Sequence, residues 1–329
     1  MCHRRLSALA LVATGALAIT AMSVAPSSAA DTDSTEAAVP GATAADGTST
    51  VIVQLAPGVV GDDRAGAYRD VKQRIARSVS QVSPGSTIGD VRDYHHALDG
   101  FAISAPAALG AIKSVQGVKD AFVDGEREPV FYPEMWGDGG VAVADPAKET
   151  RSDQVAGRGR GRVIEVIDAS FDTSHEAFAG TMDTAELRLP HAEMESLTSQ
   201  LDAGQGGAWV SDKIPFVYDY ADRDTNPYIG YGYGPQDFTV HAHGTRMAAL
   251  AAANGATYQG SAPDAQLILA KVLSNSTWTV RDSDLLAALD DAMVLKPDTV
   301  CVSFMANRDL DGEASALYDD VFARLSGAG

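Results

Sequence analysis

Cysteine is almost missing from this sequence, which has only Cys2 and Cys301 among 329 residues. Cys2 lies in a leader-like segment, so a processed chain would keep Cys301 alone, which excludes an internal disulfide. Cys301 sits in the apolar run 299–305, where a buried, inert thiol is expected rather than a nucleophile or metal ligand. Basic residues are also scarce, 25 against 44 acidic, for a formal charge of −19. That balance opposes a phosphate backbone, so no nucleic-acid partner is expected. The basic run Arg158-Gly159-Arg160-Gly161-Arg162 reads, in so acidic a chain, as a solvated turn.

A clean membrane-spanning run is missing too. Residues 6–24 are apolar or small, but Ser7, Thr14, Gly15 and Thr20 dilute them. With Arg4 and Arg5 in front and Ser28-Ala29-Ala30 behind, residues 1–30 read as a cleaved secretory signal peptide. The expected product is secreted or cell-wall associated, with no membrane span after cleavage. Residues 31–49 have almost no large apolar side chains and read as a disordered linker.

What is present is 45% hydrophobic residues over a length that can fill two cores. Val51 to Leu55 is a β-rich run, and Arg64 to Val82 has helical spacing at Tyr68, Val71, Ile75 and Val79. A strand at Gly100–Ser104, a helix from Pro106 through Leu109 and Ile112, and a strand at Val118–Val123 complete a small α/β sandwich over residues 50–128. One apolar face of its sheet is expected to lie under the two helices. Residues 129–161 read as a linker and the start of the mature C-terminal part.

Beyond it, three apolar strands, Val163–Ile167, Leu267–Leu273 and Thr299–Phe304, alternate with helices at Gly244–Asn254 and Ser283–Leu295. Strands without polar alternation, separated by helices, predict a parallel sheet covered on both faces, with a site beyond the strands' carboxyl ends. Asp168 stands at one such end, where it can orient an imidazole or bond amides of the following turn. His243 stands where a helix is expected to open, as a fixed general base or as a polar helix-entry residue. The pair His241 and His243, with His191 or Asp237, has no third ligand at a recognised metal spacing, so no metal is assigned.

Several motifs in order resemble the subtilisin-like serine endopeptidases. Val166-Ile167-Asp168 with Phe171-Asp172 and His175-Glu176-Ala177-Phe178 is similar to the family's aspartate motif, and His243-Gly244-Thr245 to its histidine motif. Gly260 to Leu267 and Val300 to Phe304 are similar to the segments that follow. Lys213 to Asp222 and Asp282 to Ala292 resemble the cell-envelope proteinase branch, which includes lactocepin and the streptococcal complement-cleaving peptidase. The resemblance implies an α/β fold with a central parallel sheet over 162–329, incomplete here and preceded by the propeptide domain 50–128. It implies catalytic Asp168 and His243, a substrate-binding strand with Ser303, Phe304 and Met305, a polypeptide substrate, and the propeptide as intramolecular inhibitor. No cofactor is implied, with structural calcium left open.

The sequence departs from the family pattern in five places. The one Gly-Thr-Ser triplet, Gly47-Thr48-Ser49, precedes Asp168 and falls in the expected linker; none follows His243, where the resemblance places the nucleophile, so this chain is expected to be truncated before the catalytic serine and inactive alone. Glu165 replaces a small or apolar strand residue, Ser170 and Met305 replace glycines, and Arg246 replaces a histidine three residues after His243. Arg246 is expected to disfavour the imidazolium formed in catalysis.

Overall fold

The computed structural model describes residues 47–130, 146–229, 238–303, 305–306 and 312–328. Its first part comprises β1 (Thr48–Leu55), α1 (Arg64–Val82), β2 (Gly89–Tyr94), β3 (Gly100–Pro106), α2 (Leu109–Lys113) and β4 (Val118–Val123). The strands form a sheet in the order β2-β3-β1-β4, with antiparallel pairing throughout. Alternate residues of a strand face opposite sides, and here the two sides enter different cores. Val51, Val53, Leu55, Phe101 and Ile103 pack with Tyr68, Val71, Ile75 and Val79 of α1 and Ile112 of α2. Ile52, Ala102, Tyr94 and Phe122 enter a second core, shared with the C-terminal part.

That part contains β5 (Glu126–Arg127), β6 (Pro129–Val130), the helical turn α3 (Pro146–Glu149), β7 (Val163–Asp168), α4 (His191–Thr198), β8 (Phe216–Asp219) and α5 (Phe238–Ala252). There follow β9 (Gln266–Lys271), β10 (Val280–Arg281), α6 (Asp282–Leu295), β11 (Thr299–Val302), β12 (Met305–Ala306) and α7 (Gly312–Gly327). Strands β11-β7-β9-β8 lie in that order and all pair in parallel. On one face Val166, Val217, Leu267 and Leu269 meet Ala248 and Ala252 of α5. On the other Val163, Ile167, Phe216 and Ile268 meet Leu285, Leu286 and Leu289 of α6. The α/β class and the two-sided parallel sheet are as expected.

Five expectations need correction. Pro106 closes β3 opposite Thr48, and the next helix begins only at Leu109; a proline at a strand's end removes little from the ladder. β1 starts at Thr48, inside the expected linker. β2 and β8 are strands that the periodicity did not reveal. Helix α5 starts at Phe238, so His243 lies within it rather than at its opening. Cys301 is half-buried rather than buried, and burial pushes its thiol pKa up, in keeping with an inert group.

The free face of the N-terminal sheet is not solvated; it sits against α6 and α7. Asp124 caps α6, accepting from Ser283 N–H at 2.9 Å and from the Ser283 hydroxyl at 2.6 Å, which satisfies a donor the helix leaves unpaired. Arg127 grips Asp282 with two bonds of 3.0 and 2.8 Å, and Tyr318 of α7 donates to the same carboxylate at 2.7 Å. Arg92 pairs with Asp284 at 3.0 Å. The basic run is a surface turn whose arginines find acids, Arg158 with Asp264 and Arg162 with Asp298. Among the described residues, no helix is long and apolar enough to cross a membrane. The expected signal peptide, residues 31–46 of the expected linker and residues 131–145 lie outside the described residues.

Candidate active site

The carboxyl edge of the parallel sheet gathers the predicted site. Asp168 is the last residue of β7 and is fully buried, on the face that packs against α5. His243 of α5 places Nδ1 2.8 Å from Asp168 Oδ1 and 3.0 Å from Oδ2. The Ala169 N–H donates to Oδ1 at 2.6 Å. Burial raises the Asp168 pKa, and the hydrogen bond and charge of His243 oppose that rise. A carboxylate so held fixes the ring's orientation, and it balances the charge an imidazole gains when it accepts a proton.

The neighbours of His243 explain how the helix comes this close. A β-carbon on Gly244 would stand 2.5 Å from the Ser170 carbonyl oxygen and 3.0 Å from Asp168 Cβ, so only glycine lets α5 rest on the turn after β7. Thr245 accepts the Asp172 N–H at 2.8 Å and clasps that turn to the helix. Ser170 does not strain the turn, since it is absent from the residues with positive φ. Its hydroxyl accepts the Ile229 N–H at 3.0 Å instead. Replacing the family's glycine there therefore puts no left-handed backbone on a serine.

Ser303 follows β11 and donates its N–H to the Ile167 carbonyl, level with Asp168. Met305 lies in β12, whose backbone pairs antiparallel with β6, Met305 opposite Val130. Phe304 lies outside the described residues. So do Asp237 and the side chain of His241, two members of the discarded metal set. Sequence reasoning missed Thr245 and Lys271. Lys271 is opposite Asp168 in the register but turns its Nζ to Asp219 at 2.6 Å and Asp222 at 3.2 Å. Burial pushes Asp219 up to about 6 against the pull of that ammonium. A lysine ending an apolar strand was the available signal.

Residues 159–324 match the model of the Subtilase family, Peptidase_S8. The chain belongs to the Subtilase family. Similar relatives include the PI-type proteinase of Lactococcus lactis subsp. cremoris and the PII-type proteinase of Lacticaseibacillus paracasei, each 25% identical over 240 residues, 70% of this chain. The C5a peptidase of Streptococcus pyogenes serotype M6 is 27% identical over 186 residues, 53% of this chain. The matched regions span 11% of the length of the two proteinases and 15% of the C5a peptidase. Asp168 and His243 both fall inside the part matched to the subtilase model.

Proposed function

We propose that this subtilase chain carries the aspartate and histidine of a secreted or cell-wall-associated serine endopeptidase acting through an Asp-His-Ser triad. The observation that carries the reading is the buried Asp168 carboxylate set 2.8 Å from His243 Nδ1. In the proposed reaction His243 takes the proton of a serine hydroxyl as it attacks the scissile carbonyl, then returns it to the leaving amine. Asp168 holds the ring and stabilises its charged form. Water repeats the cycle on the acyl-enzyme, and no cofactor takes part. The polypeptide substrate is proposed to lie along the strand carrying Ser303, Phe304 and Met305, adding its backbone to that edge.

In the same reading, residues 50–128 form a propeptide that blocks the cleft. Support comes from the segment leaving the N-terminal sheet, which pairs through β5 with β10 and through β6 with β12. On this reading β6 takes the backbone positions at Met305 that the substrate is proposed to use. The sequence has no Gly-Thr-Ser triplet after His243, its one such triplet being Gly47-Thr48-Ser49 ahead of Asp168, which favours a second reading for the 329 residues by themselves, a subtilase-like binding protein without turnover.

A serine-directed fluorophosphonate tests this. The chain alone should remain unlabelled. The chain joined to the serine-bearing segment of a lactococcal relative should label, and His243→Ala in that fusion should slow labelling on the order of 10³-fold or more. Labelling of the 329-residue chain that survives His243→Ala would place the nucleophile elsewhere. A folded fusion that fails to label would favour the binding protein.

A further inference from the structure

Three side chains from three segments converge where the N-terminal sheet meets α6. They are His96 from the connection between β2 and β3, Asp202 from the turn after α4, and Asp290 from α6. One ligand atom from each lies within 4.8 Å of the others. His96 Nε2 and Asp202 Oδ2 are 3.6 Å apart, too far for a hydrogen bond. Both atoms are sealed from solvent and have no hydrogen-bond partner among the described residues.

The rest of each carboxylate is already engaged, which fixes the two acidic donors in place. Asp202 Oδ1 is 2.6 Å from His95 Nδ1. Asp290 accepts four backbone N–H groups, those of His96, Ala97 and Leu98 on Oδ1 and that of His95 on Oδ2, at 2.7 to 3.1 Å. The two carboxylates also face each other, oxygen to oxygen within 4.8 Å, and neither can donate when ionised. Two carboxylates so placed call for positive charge between them. A shared proton would supply it and still leave His96 Nε2 without a partner. A cation satisfies the nitrogen and both carboxylates together.

We propose that His96, Asp202 and Asp290 form a site for a first-row divalent cation of the zinc type, which staples the N-terminal sheet to α6. One imidazole nitrogen with two carboxylate oxygens suits zinc better than calcium or magnesium, which take oxygen ligands. The 3.6 Å between His96 Nε2 and Asp202 Oδ2 is close to the edge of a coordination tetrahedron with bonds of about 2.1 Å, roughly 3.4 Å. The His95 bond to Asp202 and the amides on Asp290 supply the outer contacts that orient metal ligands. The ligand atoms are sealed, yet the His96 and Asp202 side chains keep 28% and 17% exposure, so the cluster lies just beneath the surface. Because the ligands come from both sides of the contact, binding stabilises the docked arrangement by linkage. The site is separate from the Asp168 and His243 pair and does not depend on the protease reading.

The test is zinc titration of the full chain by calorimetry, with metal content measured after dialysis and with hydrogen exchange of the 95–98 amides. One zinc per chain is expected. His96→Gln and Asp202→Asn should each weaken binding at least tenfold while His191→Gln leaves it unchanged, and a chelator should speed exchange at 95–98 in the unmodified chain only. Circular dichroism establishes that the variants are folded. Zinc binding that is absent, or unchanged in the folded His96→Gln, Asp202→Asn double variant, overturns the proposal. So does exchange at 95–98 that responds to pH but not to zinc, since a proton would then fill the gap.

Discussion

Glu165 is the residue at which this chain departs most from its own surroundings. It sits mid-strand in β7, fully buried, and both carboxylate oxygens lack a hydrogen-bond partner among the described residues. Burial, with the nearby charge of Asp291, raises its pKa well above the carboxylate range. A raised folded-state pKa favours folding below the unfolded value, and that contribution is lost as pH climbs through the folded one. Glu165→Met should therefore stabilise the chain by about 1–3 kcal/mol at pH 7, and by less at pH 4, as read from urea unfolding at the two pH values. Equal stability of the two proteins at pH 7 would show that the carboxylate has a partner after all. Glu165 was legible as an anomaly because an acid interrupts an apolar run. Asp168 was legible for the opposite reason, since it ends one. Thr245 and Ser170 were not, because each holds a backbone amide far along the chain, Asp172 and Ile229, and such contacts leave no local pattern.

At the scale of elements, α1 was readable in full because one of its faces is buried and the other solvated, so Tyr68, Val71, Ile75 and Val79 keep helical spacing. Strand β2 was hidden by its sequence, Gly-Asp-Val-Arg-Asp-Tyr, which is mostly polar because it lies at the sheet's edge. Strand β8 is four residues buried on both sides within a long irregular segment, too short to show a period. The start of α5 was misplaced because glycine after His243 reads as a boundary, whereas here it serves close contact. Helix α6 has no side-chain cap of its own; Asp124 supplies one from the N-terminal part. Asp124→Ala should cost about 1 kcal/mol or somewhat more, measured by chemical unfolding, while Asp124→Asn should recover most of it. Equal losses in both variants would mean the cap is not what Asp124 contributes.

The whole molecule is held by a buried face that neither half can cover alone. The second core draws on Ile52, Ala102 and Phe122 from one part and Leu286, Leu289, Leu317 and Val321 from the other. Polar contacts then set the register. Arg127 is central among these, because removing it would leave buried Asp282 with Tyr318 alone as side-chain partner among the described residues. Arg127→Ala should cost about 3–5 kcal/mol and open the segment around residues 124–130 to limited proteolysis under conditions where the unmodified chain resists. Unchanged proteolysis would show that the apolar contact alone fixes the docking. Nothing in a single sequence announces such contacts, since the partners are 155 residues apart.

The proposed chemistry requires Asp168 and His243 to act as one unit. Long-range proton–nitrogen correlation of the His243 ring, recorded on the 329-residue chain beside Asp168→Asn, tests this without requiring a nucleophile. The neutral ring should carry its proton on Nδ1, facing Asp168, with Nε2 unprotonated and able to accept, and Asp168→Asn should disturb that tautomer. A ring protonated on Nε2, or one indifferent to Asp168→Asn, would contradict the assignment of His243 as the base.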